Sequence, residues 1–155
     1  MLDRIDQFRG RYFFLSNHSL NSVQFEGDLY PSVEHAFAAA KTLDPELRAK
    51  VREAGDPDRT KRLGRKLKLR ADWDDVKVDI MRELLRDKFS SPALAEALLD
   101  TGDAALVEDN TWGDTFWGMC RGRGENMLGR LLMEVRGEIR AARAVSKGSG
   151  PAPSG

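Results

Sequence analysis

The chain has 155 residues, of which 41% are hydrophobic and 32% are charged, with 25 basic side chains balancing 25 acidic ones. This composition indicates a folded globular protein rather than a disordered one, and the zero net charge argues against a protein that binds nucleic acid through overall basicity. A single cysteine, Cys120, excludes an internal disulfide, and no segment has the roughly 20 consecutive apolar residues of a membrane helix, so we predict a cytoplasmic protein without a membrane partner.

The N-terminal part of the chain predicts short strands followed by a helix. The aromatic run at 12–15 suggests a buried strand. Residues 23–25 alternate, residues 26–28 form a turn and residues 29–30 continue, which predicts a strand with a turn. Ser32 then follows a proline that ends the extended segment. Because serine is a favourable N-cap, we expect a helix over about residues 33–43.

The remainder of the chain predicts helices almost throughout, separated by proline, aspartate and glycine breaks. Asp72 is expected to cap the longest of the central helices. The predicted helices span about residues 45–54, 58–66, 73–89, 92–99 and 125–143, with a short strand or a helical turn at 104–108. We therefore predict one compact α+β, mainly α, domain over residues 1–146 with a small N-terminal β portion, followed by a disordered tail over residues 147–155.

Glu34 and Lys41 in the first predicted helix are candidates for catalysis. Their spacing of seven residues places them two turns apart and within about 20° of each other around the axis, on a stripe that otherwise carries Phe37 and Ala38. An amine among apolar groups loses hydration, which lowers the pKa of a lysine and makes it a better nucleophile. A carboxyl group in a pocket can act as a general acid or base.

The same helix also has a structural interpretation. Glu34 in the first turn would complement the helix dipole on an ordinary surface helix. His35 suits a structural or hydrogen-bonding role better than a catalytic one. With two histidines and one cysteine in the whole chain, a zinc site is not expected, and we predict neither a metal nor a cofactor.

The second candidate segment is the glycine-rich stretch at 110–129, which contains two of the three tryptophans. Ligand pockets combine these residue types because indole stacks on bases and glycine lets the backbone approach. The turn at 122–124 leads into the last helix, and helix N-termini bind phosphate. The stretch therefore predicts a ligand loop, although a capping loop has the same composition. Asp114 is a candidate second acid–base residue, and Cys120 is interpreted as a bystander.

Residues 59–70 form a basic block that contains seven lysines and arginines. A solvated helix face explains such a block, and contact with phosphate or nucleic acid explains it equally well in a chain whose charge is otherwise balanced. Upstream, Ser16 and Asn17 follow the predicted aromatic strand, and we expect them to face a pocket at its end.

Three ordered blocks of the sequence resemble the NADAR family (NAD- and ADP-ribose-associated proteins, also called YbiA-like). The blocks are FRGRYFFLSN at 8–17, YPSVEHAFAAAK at 30–41, and WGDTFWG at 112–118 followed by GRGENMLGRLLMEVR at 122–136. The similarity covers residues 8–140, nearly the whole predicted domain. It implies a compact, largely α-helical YbiA-like fold with a small β portion.

The resemblance also implies an activity, the hydrolysis of a bond between ribose C1 and nitrogen by an N-glycosidase that does not use NAD as a redox cofactor. The substrate classes of the family are phosphorylated ribosyl-amine intermediates of riboflavin synthesis and ADP-ribose attached to guanine bases. The expected partners are therefore ADP-ribose or a phosphoribosyl small molecule, and ADP-ribosylated DNA or RNA.

Residue by residue, the glutamate of the family falls on Glu34 and its helix lysine on Lys41, and with Asp114 these form the predicted catalytic set. Lys41 is expected to attack C1 and to hold the opened ribose as an imine. The predicted substrate-binding residues are Asn17, His35, Phe37, Trp112, Gly113, Trp117, Gly124 and Asn126.

The chain departs from the family pattern at two positions. His18 follows Asn17 where the family commonly has phenylalanine, and Ala38 stands where many relatives carry glutamine, a loss of a polar group that we expect to alter substrate preference. Two other functions fit the sequence. A non-catalytic reader of ADP-ribose or nucleotides would need neither Glu34 nor Lys41 at this spacing, and a nucleic-acid-binding module would act through the basic block.

Overall fold

The computed structural model describes residues 2–148, which are mainly α-helical with a few short strands, so the predicted fold class is confirmed. The helices are α1 (Val33–Ala40), α2 (Pro45–Arg52), α3 (Pro57–Lys66), α4 (Trp73–Lys88), α5 (Pro92–Leu99) and α6 (Met127–Gly148), with a 3-10 helix at Gly10–Leu15. The strands are β1 (Arg4–Ile5), β2 (Val23–Phe25), β3 (Asp28–Tyr30), β4 (Ala105–Leu106), β5 (Asp109–Asn110) and β6 (Met119–Cys120). None of the helices in this described part is long and apolar enough to cross a bilayer.

The described residues group into two compact units, and the first comprises residues 7–91. Within it, β2 and β3 form an antiparallel hairpin where the sequence predicts a strand with a turn, and Val23 lies opposite Tyr30. Helix α1 packs against α2, α3 and α4 and against this hairpin. The alanines of α1 are small enough to let these neighbours approach closely, and this unit therefore has α1 at its centre.

The second unit comprises residues 2–6 and 92–148. Here β1 pairs in parallel with β4, and β5 pairs in parallel with β6. Helix α6 packs against α5 and β4 and buries the apolar stripe that the sequence predicts, namely Leu128, Leu131, Leu132 and Val135. The element expected as a strand or a turn at 104–108 is strand β4. That residues 1–146 act as a single domain stays a prediction.

Three helices of the first unit begin at side chains that cap their first turn. Ser32, Asp44 and Asp56 each accept a hydrogen bond from a backbone amide two or three residues further on, at 3.1, 2.9 and 2.8 Å respectively. Pro45 and Pro57 directly follow two of these caps, where their missing amide proton has no helical partner to lose. The predicted helix starts are thus explained by local chemistry.

The strand predicted at 12–15 is wrong, because these residues belong to the 3-10 helix. Gly10 has a φ of +56°, and the chain turns there instead of continuing as a strand. Leu15 is fully buried, whereas Phe13 is 44% exposed. A short run of apolar residues without alternation is compatible with either structure, so the local pattern alone did not decide between them.

Two predicted element boundaries also differ from the structure. Asp72 precedes α4 as expected, but its side chain does not cap the helix, because its carboxylate pairs with Arg70 at 2.6 Å. Helix α6 continues through Lys147 and Gly148, which the sequence assigned to the tail. The rest of the predicted tail, residues 149–155, lies outside the described residues.

Candidate active site

Helix α1 places Glu34 and Lys41 on an almost entirely buried element. Seven of its eight residues are buried, and Glu34 is the exception. Lys41 directly follows the helix, and its amide donates to the Ala38 carbonyl at 3.3 Å, so the helix ends slightly earlier than predicted. The expected spacing between the carboxylate and the amine is therefore present in the structure.

The Glu34 carboxylate is largely shielded from solvent and lies beside His18. Its Oε2 atom is 3.8 Å from Nε2 of His18, and Nδ1 of His18 is 3.3 Å from Oδ1 of Asp58 on α3. Burial raises the pKa of the Glu34 carboxyl, while nearby positive charges, of which His18 acts most strongly, oppose that shift. The carboxyl group is thus biased toward its neutral acid form.

The Lys41 amine lies among aromatic and cationic groups. Its Nζ is 6.0 Å from the centre of the Phe37 ring, which in turn contacts the Trp73 ring at a centroid distance of 5.0 Å. Burial lowers the pKa of Lys41; the Glu34 carboxylate opposes this shift, and the cations of α3 add to it. The direction of this shift is the one that loss of hydration produces for an amine.

Helix α3 brings part of the basic block to this site. Gly64 is buried against α1, and a Cβ atom placed on it would lie 3.1 Å from the Cβ of Ala38 and 3.5 Å from Nζ of Lys41. Lys61 and Arg65 flank this position one turn apart, and their charges act on both candidate catalytic groups. Other residues of the block, such as 59, 62 and 66, are exposed, as on a solvated helix face, and contact of the block with phosphate or nucleic acid stays a prediction.

Asn17 and His35, both predicted to bind substrate, occupy different environments. The Asn17 carbonyl accepts the Glu34 amide at 3.1 Å, and its side-chain Oδ1 is buried without a hydrogen-bond partner in residues 2–148. His35 is fully buried, and its Nδ1 forms a 2.7 Å hydrogen bond with Oγ of Ser32. Burial lowers the pKa of His35. Asn17 can therefore offer an acceptor to a ligand, whereas His35 supports the start of α1.

The glycine-rich loop of the second unit is shaped by two polar side chains. Nδ2 of Asn110 donates to the carbonyls of Asp114 and Met119 at 2.8 and 3.1 Å, and its Oδ1 accepts the Asp114 amide at 3.0 Å. Oδ1 of Asp114 accepts the amides of Phe116 and Trp117 at 3.1 and 3.0 Å. Asp114 thus organises this loop, and its acid–base role stays a prediction.

The aromatic and glycine residues of this loop differ in exposure and in conformation. Trp112 is 58% exposed, and Phe116 and Trp117 stack edge to face with their centroids 4.9 Å apart. Gly113 and Gly124 have φ values of +88° and +143°, and a side chain at Gly124 would also collide with backbone carbonyls of the loop. The backbone conformation at both positions favours glycine, and contact of these glycines with substrate stays a prediction.

Asn126 connects the loop to α6. It is buried, its φ is +50°, its Oδ1 accepts the Glu108 amide at 3.0 Å, and its Nδ2 donates to the Leu106 carbonyl at 2.9 Å. Both ends of the side chain thus bind backbone next to β4. Its predicted role in substrate binding remains a prediction from the sequence.

The predicted site residues fall into two groups in the structure. Asn17, Glu34, Phe37 and Lys41 belong to the unit of residues 7–91, together with His35, and the glycine-rich loop with Asp114 and Asn126 belongs to the other. Across residues 2–148, no group of three or more His, Cys, Asp and Glu side chains is arranged to hold a metal ion.

Two residues of structural importance were missed by the sequence reasoning. The sequence marks His18 only as a departure from the family pattern, and nothing in the turn that carries it indicates that it lies next to Glu34. Asn110 had a recognisable signal, because an asparagine shortly before an Asp in a glycine-rich turn commonly bonds to the local backbone. Such side chains fix a loop without taking part in chemistry.

Comparison with known proteins gives a consistent result. The family model described as NADAR domain matches residues 6–140. The N-glycosidase YbiA of Escherichia coli (strain K12) is 39% identical over 132 residues, which cover 83% of this chain and 82% of that protein. A riboflavin biosynthesis protein of Vibrio vulnificus (strain YJ016) is 42% identical over 130 residues, or 81% of this chain and 35% of that protein. The NMR structure of E. coli YbiA matches with a TM-score of 0.80 at 35% identity, covering 100% of this chain and 94% of that one.

Proposed function

Because the chain belongs to the NADAR domain family and is an N-glycosidase, we propose that it hydrolyses the ribose C1–nitrogen bond of a phosphorylated ribosyl-amine intermediate of riboflavin synthesis. The name of the Vibrio vulnificus relative supports this substrate class. ADP-ribose attached to guanine is the second candidate, since it contains the same type of bond and its phosphates would suit the cations of α3.

The observation that carries the proposal is the pair of Glu34 and Lys41, whose pKa values both move toward the neutral forms. Burial raises the pKa of the Glu34 carboxyl and lowers that of the Lys41 amine. A neutral carboxyl group can donate a proton, and a neutral amine can attack carbon. One helix thus supplies a proton for the leaving nitrogen and a nucleophile for C1.

The proposed reaction proceeds through an imine. Glu34 protonates the leaving nitrogen as its bond to C1 breaks, and Nζ of Lys41 forms a bond to C1. Nζ then loses a proton, the bond between C1 and the ring oxygen breaks, and that oxygen takes up a proton, which leaves a protonated imine. Water adds to C1, the C1–Nζ bond breaks, and the amine and the ribose aldehyde are released. The sum is a hydrolysis that needs no oxidant or reductant.

Lys61 and Arg65 are proposed to bind the phosphate of the substrate. They lie one turn apart on α3, on either side of Gly64. A Cβ atom placed on Gly64 would lie 3.5 Å from Nζ of Lys41, so this part of α3 is close to the amine. A guanidinium group can form two parallel hydrogen bonds to a phosphate, and an ammonium group adds a point charge. Asn17 would add the acceptor Oδ1 for a ribose hydroxyl.

Substitution of the two central residues tests the proposal. Lys41→Ala and Glu34→Gln should each slow release of the leaving base by about 100-fold or more, because each removes a group that acts in the bond-breaking step. Lys50→Ala and Glu46→Gln change exposed residues of the neighbouring helix α2 and should keep the wild-type rate. Chromatography of the released base, with the ribosyl-amine and the ADP-ribosylated guanine in parallel, identifies the substrate.

Borohydride reduction during turnover tests the imine. We expect a covalent ribose adduct in the wild-type protein and none in Lys41→Ala. Turnover without an adduct would exclude covalent catalysis by Lys41. Binding of ADP-ribose without turnover of either substrate would instead support the binding-only alternative.

A further inference from the structure

His18 lies between two carboxylates that differ greatly in exposure. Its Nε2 is 3.8 Å from Oε2 of Glu34, and its Nδ1 is 3.3 Å from Oδ1 of Asp58. The side chains of Glu34, His18 and Asp58 are 15%, 28% and 78% exposed. The three residues therefore form a row that leads from a shielded carboxyl group to the solvent.

The turn that carries His18 is fixed at several points. The His18 amide donates to Oγ of Ser16 at 3.1 Å, and the Asn17 carbonyl accepts the Glu34 amide at 3.1 Å. The buried amine of Lys88 donates to the Ser16 carbonyl at 3.0 Å. These bonds tie the backbone of the turn to α1 and α4, so the Cα of His18 is fixed close to Glu34 while its ring can still rotate.

We propose that His18 transfers protons between Glu34 and the solvent, an inference that rests on the proposed role of Glu34 as an acid. After Glu34 has given its proton to the leaving nitrogen, the neutral His18 imidazole would return one from Nε2 to Oε2 while Nδ1 takes up a proton from the solvent beside Asp58. The ring thus passes one proton inward and ends with its proton on the other nitrogen. The distance of 3.8 Å exceeds a hydrogen bond of about 2.7–3.2 Å, so the ring and the carboxylate must approach by rotation of their side chains.

The charges around the pair determine the direction of the expected effect. Among the charges that act on Glu34, His18 most strongly opposes the rise of the pKa that burial causes. Replacing His18 with a neutral residue should therefore let the pKa of the Glu34 carboxyl rise further. The titratable groups that face the pair are Asp58, Lys61 and Arg65 on α3, and His35 and Lys41 on or next to α1.

Carboxyl ¹³C NMR tests this coupling without any substrate. The Glu34 signal is the one that disappears in Glu34→Gln, and its titration midpoint should move to higher pH in His18→Gln than in the wild type. A midpoint that does not move would overturn the inference, whether or not the protein cleaves the proposed substrates. Failure of the proposed function would instead appear as wild-type protein that cleaves neither substrate.

Kinetics then test the transfer itself. His18→Ala should lower kcat by at least about tenfold, and imidazole added to the solution should restore part of the loss, because the missing side chain leaves room for it. His18→Phe fills that room and should not respond to imidazole. One limb of the pH profile of kcat should be absent in Glu34→Gln, which assigns it to Glu34. In His18→Phe the same limb should move to higher pH. A loss of kcat without rescue and without movement of that limb would show that His18 has only a structural role.

Discussion

Asn126 binds backbone groups at both ends of its buried side chain. In Asn126→Ala the Glu108 amide and the Leu106 carbonyl lose their partners, and leaving buried groups unpaired should lower the free energy of unfolding by about 1–3 kcal/mol. Urea denaturation measures this change. Asn126→Gly removes the same hydrogen bonds, but glycine adopts the positive φ without strain. If both variants lose the same free energy of unfolding, the loss comes from the hydrogen bonds and not from the backbone. Unchanged stability with a raised KM would show instead that Asn126 binds substrate.

The individual residues also show which contacts a sequence can predict. The relation of Glu34 to Lys41 depends only on helical spacing, which is local, and the structure has it as expected. The contact of Glu34 with His18 depends on how the turn at 16–19 is held against α1 and α4, which no local pattern encodes. Asn17 and His35 show the same limit, because their environments depend on neighbours from other elements.

At the level of elements, replacing two helical glycines with alanine should have different effects on stability. A Cβ at Gly137 in α6 would meet no atom within 4 Å, so Gly137→Ala should raise the free energy of unfolding by about 1 kcal/mol through helix propensity alone. Gly64→Ala should lack this gain, because its Cβ would crowd the Cβ of Ala38 at 3.1 Å. Thermal unfolding measures the first effect.

The same substitution should also affect activity. Gly64→Ala should shift α3 slightly away from α1 and with it the cations near Lys41, so kcat should fall by about tenfold, whereas Gly137→Ala should keep the wild-type kcat. A Gly64→Ala protein with full activity and a full gain in stability would show that the close approach of α3 to α1 is not needed.

The elements themselves were predictable to the extent that local chemistry defines them. The caps Ser32, Asp44 and Asp56 mark three helix starts, and the structure has helices at these places. The 3-10 helix at Gly10–Leu15 was not predictable from four apolar residues in a row, since its identity depends on which of them the rest of the unit buries. Asp72 failed as a cap because Arg70 competes for its carboxylate.

For the whole molecule, the burial of Lys88 should make the free energy of unfolding depend on pH. Its side chain is buried, and burial lowers its pKa to about 7. Between about pH 7 and the ordinary lysine range, the unfolded chain binds a proton that the folded chain does not bind, so the free energy of unfolding should rise with pH in that window, by up to about 1.4 kcal/mol per pH unit. Below about pH 7 both states bind the proton and this contribution no longer changes.

Lys88→Met tests this origin of the pH dependence. The rise in stability between about pH 7 and 9 should be smaller in Lys88→Met, as followed by urea unfolding at several pH values. Lys77→Met in the same helix removes a lysine that pairs with Asp74 at 3.0 Å on the surface, and it should leave the rise unchanged. An equal rise in all three proteins would assign it to other groups.

The balanced charge of the whole chain conceals an uneven distribution. The net charge is zero, yet Lys61 and Arg65 direct positive charge toward Glu34 and Lys41. Composition correctly argued against overall basicity but could not show where the basic block points. That information comes from the packing of α3 on α1, where Gly64 lies close to Ala38.

The contact between Ala38 and Gly64 has a consequence for substitutions at position 38. Ala38 is buried, and a Cβ placed on Gly64 would lie only 3.1 Å from its Cβ, so a side chain longer than alanine at 38 should push α3 away from α1. Lys61 and Arg65 lie on α3 and would move with it. A substitution at 38 is therefore expected to relocate two cations as well as to change the local volume.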